Sequence, residues 1–267
     1  MVEGVSLCAR AWGLDRSDLP GLLFVAGFGA HAAWWDHVGP WFTDRFRVAA
    51  LDLSGMGDSG RRKTYSYAQH GREILAALDM LGFARASIVG HSYGGTTTLI
   101  ACRLGPEWIG RAVIVDTAIL LPEQPDDVHP AYKHRLYPTR EAALARFRLI
   151  PPGGWPDPDI FAYIAGHSVR EGPDGWTWKF DPMMSDSLNA KSYRHLHRDI
   201  SVPLHFIHGE RSEIVGSELL HRIPGLFPSS LSPSVGVPLS HHHIMIEQPA
   251  AFVTTLRVLL SSGRASE

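Results

Sequence analysis

Short apolar runs alternate with helically spaced segments along most of the chain. Six runs have the character of strands that end in turn residues: 21–27, 46–53, 86–92, 111–117, 202–209 and 232–240. Helical spacing of apolar residues appears at 66–83, 96–105 and 249–262. Because unalternating apolar runs suit strands buried on both faces, the pattern predicts an α/β fold with a mostly parallel central sheet flanked by helices.

The alternation stops at 118–199, a stretch rich in proline, tryptophan and arginine. Thr139 is a candidate N-cap for one helix, and a second helix is predicted over 158–167. No strand of the main sheet is predicted in this stretch. We therefore expect a helical cap at 118–199, inserted into a core domain formed by 1–117 and 200–267.

One serine stands between two glycines directly after the third predicted strand, in the stretch VGHSYGG. A serine hydroxyl is a weak nucleophile until a base takes its proton, and the base needs an acid that orients it. Gly90 and Gly94 stand where larger side chains would clash in a sharp strand-to-helix turn. The helix that follows directs its N-terminus at Ser92, which favours developing negative charge nearby. Ser92 is therefore the candidate nucleophile.

Three other stretches could supply its partners. The turn at 27–29 follows a strand, and the backbone amide of Phe28 could form an oxyanion hole with the amide of Tyr93. A second glycine-rich turn, LDLSGMGDSG, ends the next strand at 51–60. The stretch LSHHHIMIEQPAAF (239–252) places histidines between the last strand and the C-terminal helix.

In this order, the motifs resemble the α/β-hydrolase fold in its cap-bearing, esterase-like bacterial branch. The resemblance extends over nearly the whole chain and depends on the succession of motifs more than on the serine pentapeptide. It implies a serine hydrolase that cleaves small to medium, largely apolar acyl esters through an acyl-enzyme. It implies no cofactor, and a small molecule as the substrate. Epoxide hydrolases and haloalkane dehalogenases of similar fold use an aspartate nucleophile, so Ser92 argues against both chemistries.

The resemblance assigns the base to His242, seven positions before Pro249, the proline that opens the last helix. His241 and His243 are then expected to point elsewhere. The competing interpretation is a metal site made by the three consecutive histidines. Consecutive residues cannot easily turn three imidazoles onto one ion, and no HExxH pattern is present, so no metal is expected.

The acid departs from the family pattern. Relatives usually carry an aspartate three residues after a glycine at the end of the penultimate strand, and here Gly209 leads to Ser212. A neutral serine cannot stabilise an imidazolium as a carboxylate does. Asp116, at the end of a buried strand, is the favoured acid, because ligands bind at the carboxyl edge of such sheets. Glu213 and Glu210 are the alternatives.

A second departure is Ala26, where many relatives have histidine before the oxyanion glycine. Since the donor in question is a backbone amide, Phe28 can still serve. We expect weaker or differently shaped oxyanion binding.

Several other candidates have ordinary structural explanations. Asp52 and Asp58 follow or lie in turns, so structural roles are expected for both. Trp176, Trp178 and Phe180 alternate with the period of an extended segment. These three aromatic residues either line an acyl pocket or hold the cap together.

Composition and charge narrow the class of partner. The chain has 267 residues, a net charge of −2 and two cysteines, so neither a nucleic-acid footprint nor a disulfide framework is expected. The arginines of the cap have acidic neighbours, so no polyanion site is expected. The N-terminus lacks a signal pattern and no apolar run could span a membrane, which favours a cytoplasmic protein. A homodimer remains open.

Two rival functions remain open. The same fold and residues also support carbon–carbon bond hydrolysis, lactone opening, lyase reactions and cofactor-free oxygenation, and the fold alone does not choose among them. The serine at position 212 also motivates a receptor-like hydrolase that binds its ligand and turns over slowly or not at all.

Overall fold

The computed structural model describes residues 1–119, 133–189 and 199–261. A seven-stranded sheet runs through its centre. Its strands are β1 (Cys8–Trp12), β2 (Gly21–Val25), β3 (Arg47–Asp52), β4 (Ala86–His91), β5 (Ile109–Val115), β8 (Leu204–Gly209) and β9 (Val235–Val237). They lie side by side in the order β1-β3-β2-β4-β5-β8-β9. Strand β1 is antiparallel to β3 and all other pairs are parallel. The mostly parallel sheet predicted from the sequence is confirmed.

The first strand was not predicted. In β1, exposed and half-buried residues alternate, because this edge strand has only one neighbour and one partly covered face. By contrast, every residue of β2 is buried, which explains its unbroken apolar run. A search for unbroken apolar runs therefore identifies the central strands and misses the edge strand.

Helices cover both faces of the sheet. They are α1 (Tyr67–Met80), α2 (Tyr93–Leu104), α6 (Ser217–Leu226), α7 (Ile244–Glu247) and α8 (Pro249–Ser261). One apolar cluster joins α1, α2 and α6 to one face, with Ile74 and Leu99 fully buried. A second cluster joins α8 to the other face, with Phe252 and Leu256 fully buried. Helix α6 was not predicted, and it contains Pro224, which interrupts helical sequence patterns.

Between β5 and β8 lies a segment built apart from the main sheet. It contains α3 (Arg140–Leu144), α4 (Pro158–His167), β6 (Val169–Gly172), β7 (Gly175–Trp178) and α5 (Met183–Asn189). In its described residues no strand joins the seven-stranded sheet, and β6 pairs only with β7. The hairpin adds strand structure to the expected helical cap, at the place where Trp176 and Trp178 alternate as in an extended segment. Parts of that cap, 120–132 and 190–198, lie outside the described residues. Its action as a lid stays a prediction.

Polar contacts hold this segment against the core. Lys179 forms a 2.7 Å ion pair with Asp58. The hydroxyl of Tyr65 donates a 2.6 Å hydrogen bond to Oδ2 of Asp181, and both residues are buried. These contacts fix the end of the β6–β7 hairpin over the loops that follow β3. The structural role expected for Asp58 agrees with its position.

Candidate active site

Ser92 lies on a sharp turn between β4 and α2. Its backbone has φ 54° and ψ −123°, a conformation that costs a non-glycine residue roughly 1–3 kcal/mol. The flanking glycines permit it. A Cβ at Gly90 would lie 2.4 Å from the carbonyl oxygen of Gly94, and a Cβ at Gly94 would lie 2.3 Å from the oxygen of Val25. The sequence interpretation of both glycines agrees with this packing.

His242 lies in the loop between β9 and α7, with its ring buried beside Ser92. Its Nε2 is 3.1 Å from the Ser92 Oγ, and its Nδ1 is 2.8 Å from Oδ2 of Asp116. Because a carboxylate only accepts hydrogen bonds, Nδ1 carries the proton and Nε2 presents its lone pair to the serine hydroxyl. The structure thus brings together the three residues that the sequence singled out.

Asp116 follows β5 with a positive φ of 41°, and only 1% of it is exposed. Besides contacting His242, its carboxylate accepts a 2.7 Å hydrogen bond from the Ser212 hydroxyl and a 3.3 Å bond from the Gly209 amide. The backbone amide of Ser92 also donates to the carbonyl of Val115, the residue before Asp116, at 2.9 Å. Neighbouring strands therefore hold the serine and the acid in register.

The alternative acids lie elsewhere. Glu210 and Glu213 are both exposed, and within the described part of the chain the carboxylate that bonds to the His242 ring is that of Asp116. Ser212 occupies the position of the usual aspartate and donates to Asp116, while its oxygen accepts a 3.1 Å bond from the amide of Ile214. Sequence reasoning noted the departure at Ser212 and missed this contact.

The turn at 27–29 lies directly against the serine. A Cβ at Gly27 would lie 3.2 Å from the Ser92 Cβ, so this position accommodates only glycine without a shift. The rings of Phe28 and Tyr93 pack edge to face at 5.6 Å. The two residues predicted to donate to the oxyanion are thus in contact through their rings. Ala26, in place of the usual histidine, is buried in the core.

Asp52 has the structural role expected for it. Its carboxylate accepts a 2.6 Å bond from the amide of Ala32 and a 2.9 Å bond from the amide of Asp58. It therefore joins the chain that follows the 27–29 turn to the glycine-rich turn after β3. Burial raises the pKa of the Asp52 carboxyl to about 6.

A sequence profile described as "alpha/beta hydrolase fold" matches residues 20–249. The chain belongs to this family. The resemblance inferred from the sequence motifs is thereby confirmed, and hydrolysis is the reaction class that the family supports.

Individual relatives are distant. An uncharacterized protein of Mycobacterium tuberculosis is 29% identical over 151 residues, 56% of this chain and 42% of that protein. The chain thus spans less than half the length of this relative. The 3-oxoadipate enol-lactonase 2 of Acinetobacter baylyi is 24% identical over 249 residues, which cover 89% of this chain and 87% of the lactonase. The solved thioesterase domain from the curacin biosynthetic pathway superposes with a TM-score of 0.77 at 20% identity, covering 96% of this chain and 97% of that domain.

A cavity of about 860 Å³ adjoins Ser92 and His242. Aromatic rings from the core and from the β5–β8 segment form part of its wall: Phe28, Tyr93, Phe147, Trp178 and Phe180. Phe28 packs against Phe180 with ring centroids 5.0 Å apart. Two of the three alternating aromatics predicted from the sequence thus line the cavity, whereas Trp176 does not line it.

The charged residues of the cavity wall are all positive among the residues that the structure describes. Five basic side chains line it: Lys133, Arg135, Arg146, Arg148 and Lys179. No aspartate or glutamate of the described ranges does so. Lys179 pairs with Asp58, and the other four form no ion pair with described residues. Whether neighbouring acids offset the cap arginines stays a prediction, because Glu123, Asp126 and Asp127 of the cap lie outside the described residues.

The histidines beside His242 differ from each other. His241 contacts Oε2 of Glu247 through its Nδ1 at 3.1 Å and points away from the site, as expected. His243 is buried with its ring centroid 4.9 Å from that of His242, so the expectation that it points elsewhere is wrong. Burial and the neighbouring His242 lower the pKa of His243 to about 3, and burial holds the pKa of His91 well below its usual value. Both rings are neutral at physiological pH.

Across the described ranges, no helix combines the length and apolar character needed to cross a membrane.

Proposed function

We propose that this hydrolase cleaves carboxylic esters of small to medium, largely apolar acids through an acyl-enzyme. The Ser92 Oγ attacks the acyl carbon while His242 takes its proton through Nε2. His242 then returns that proton to the leaving alcohol. A water that His242 deprotonates hydrolyses the acyl-enzyme and releases the acid and the free serine. Asp116 holds the Nδ1–H tautomer and stabilises the imidazolium that forms in each half-reaction.

Backbone amides stabilise the negative charge that develops on the carbonyl oxygen of the substrate. The proposed donors are the amide of Phe28, in the 27–29 turn, and the amide of Tyr93, the first residue of α2. Loss of one such donor typically costs about 2.7–4 kcal/mol of transition-state stabilisation. The N-terminus of α2 adds a favourable dipole at the same place.

The observation that carries this proposal is the unbroken hydrogen-bond relay from Ser92 through His242 to Asp116, with contacts of 3.1 and 2.8 Å. It lies beside a cavity with an aromatic wall, as an apolar acyl group requires.

A panel of aryl esters of rising acyl length tests the proposal. Wild type should turn over repeatedly, and Ser92→Ala should lose about 10⁶-fold in kcat, since the serine acts as one unit with its base. Full activity in Ser92→Ala would exclude the mechanism. Labelling of Ser92 by a fluorophosphonate without turnover of any substrate in the panel would instead favour the receptor-like hydrolase.

The basic wall of the cavity favours a second candidate, hydrolysis of esters whose acyl group carries a carboxylate or phosphate. Arg146 and Arg148 lie in this wall and have no acidic partner in the described chain. An aryl hemisuccinate should then be preferred over the aryl butyrate, more strongly at low salt. Arg146→Gln and Arg148→Gln should raise KM for the hemisuccinate alone. Arg103→Gln, on the exposed end of α2, is the matched control.

The full-length similarity to an enol-lactonase makes lactone opening the closest rival among the reactions considered. Lactone and ester share the same acyl-enzyme chemistry, so turnover of a lactone panel beside the aryl esters separates them. A vinylogous diketone in the same assay tests carbon–carbon bond hydrolysis.

A further inference from the structure

Three buried histidines meet beside Ser92. One ring nitrogen from each of His91, His242 and His243 lies within 4.8 Å of the others. His91 is the last residue of β4, whereas His242 and His243 come from the loop before α7. The fold thus brings a distant histidine to two adjacent ones, which the sequence alone does not reveal.

In each ring, one nitrogen faces an oxygen that accepts a hydrogen bond. Nε2 of His91 is 2.9 Å from the backbone oxygen of His242, and Nε2 of His243 is 3.2 Å from that of Pro151. Nδ1 of His242 is 2.8 Å from Oδ2 of Asp116. A neutral imidazole that donates through one nitrogen presents a lone pair at the other. Metal-binding histidines are held in this way, by a carbonyl or carboxylate on the second nitrogen.

The other nitrogen of each ring has different surroundings. Nδ1 of His91 and Nδ1 of His243 are buried without a hydrogen-bond partner among the described residues. Nε2 of His242 faces the Ser92 hydroxyl. Buried polar atoms are nearly always satisfied, so these two imidazole nitrogens and Nε2 of His242 form a set of three candidate metal ligands.

We propose that His91, His242 and His243 bind a transition-metal ion such as Zn²⁺, which inhibits the enzyme by occupying the lone pair of His242 that accepts the serine proton. The metal site itself is independent of the proposed function, and only the inhibition rests on it. Imidazole is a ligand that Zn²⁺ prefers, and three protein nitrogens leave the fourth tetrahedral position to water.

The distances between the three ring nitrogens predict that the metal ion binds reversibly. Zinc–nitrogen bonds of about 2.0–2.1 Å place the nitrogens of one tetrahedral ion roughly 3.4 Å apart. Rings with nitrogens up to 4.8 Å apart must therefore turn inward when the ion binds. The three ligands carry no net charge of their own, so a chelator should remove the ion readily.

Direct binding to the Ser92→Ala variant tests the site without relying on hydrolysis. Zn²⁺ calorimetry should give one equivalent per chain, and Co²⁺ should develop the visible absorption of a low-coordinate, nitrogen-ligated ion. Two variants in the same background, His243→Gln and His91→Gln, each keep a side-chain N–H donor but remove the nitrogen whose lone pair would bind the metal. Each should weaken Zn²⁺ binding at least about tenfold. His241→Gln, an adjacent histidine outside the group, should change the affinity less than twofold.

The site is excluded if Ser92→Ala binds neither ion, or if His241→Gln weakens binding as much as the other two variants. Unchanged affinity in His243→Gln also excludes it. Circular dichroism establishes that each variant is folded. If His91→Gln does not fold, His243→Gln decides.

Inhibition is measured separately on wild type. Zn²⁺ should slow both aryl-ester hydrolysis and fluorophosphonate labelling of Ser92, and a chelator should restore both. Hydrolysis that is insensitive to Zn²⁺ at concentrations that saturate the site overturns the inhibitory role. Metal binding without any ester hydrolysis would contradict the proposed function and leave the metal site intact.

Discussion

The Ser212 hydroxyl donates a 2.7 Å hydrogen bond to the same Asp116 oxygen that His242 contacts at 2.8 Å. The residue found where relatives carry their acid thus supports an acid supplied from the neighbouring strand. Hydrogen bonds to a charged group contribute about 1.5–3 kcal/mol, so Ser212→Ala should lower kcat/KM for aryl esters roughly tenfold. Ser212→Thr keeps a hydroxyl and should recover most of the activity. Equal losses in both variants would contradict the proposed support.

Replacing the acid itself should have a larger effect. Asp116→Asn tolerates the positive φ of this position but favours the wrong tautomer of His242, so kcat should fall roughly 10⁴-fold. Adding Ser212→Asp to that variant places a carboxylate where relatives carry it and should restore activity at least tenfold. Glu213→Gln is the control and should stay close to wild type. If Glu213→Gln is inactive while Asp116→Asn is not, the acid is misassigned.

The tight turn around Ser92 should be sensitive to a single methyl group. In Gly90→Ala the new Cβ would meet Gly94 and Thr98 oxygens at 2.4 Å, so the free energy of unfolding should fall by about 1–3 kcal/mol or more. In Gly225→Ala, in α6, the new Cβ would have no atom within 4 Å. This variant should raise the free energy of unfolding by about 0.5–1 kcal/mol. Urea denaturation measures both. A Gly90→Ala protein as stable as wild type would refute the crowding argument.

Asp52 should make stability depend on pH. Its folded pKa of about 6 lies above the ordinary value of 3.8, so the folded protein binds the proton more tightly than the unfolded chain. The free energy of unfolding should therefore fall as pH rises from about 4 to 6, by up to about 3 kcal/mol. Asp52→Asn should flatten this dependence in urea titrations at several pH values. The side chain of Asp58 is 55% exposed, so Asp58→Asn should leave the pH dependence in place.

Sequence patterns predicted most of the core because its central strands are buried on both faces. Ser92 and His242 were predicted because each belongs to a motif with fixed spacing to a turn or a proline. Asp116 was favoured over Glu213 because it ends a buried strand at the carboxyl edge of the sheet. The contact between its carboxylate and the His242 ring depends on packing between distant segments, which local spacing does not give.

The remaining features depend on contacts between distant parts of the chain. His91 and His243 meet only because β4 ends beside the loop before α7, so local spacing carries no trace of their proximity. The Ser212 contact was missed for the same reason, whereas the edge strand β1 was missed because exposed and half-buried residues alternate along it. Likewise, acidic neighbours in the sequence of the β5–β8 segment do not reveal which charges face the cavity.

The backbone bond between the Ser92 amide and the Val115 carbonyl has a consequence for substitutions near the site. It joins the proposed nucleophile to the residue before its acid. Two of the three residues of the relay, Ser92 and Asp116, are therefore positioned by adjacent strands of the sheet. The loop after β8 contributes a hydroxyl and no charge, and the amides of Ile214 and Val215 hold that hydroxyl in place. Because the Ile214 side chain also lines the cavity, a substitution there changes the space for the substrate without removing a charge from the site.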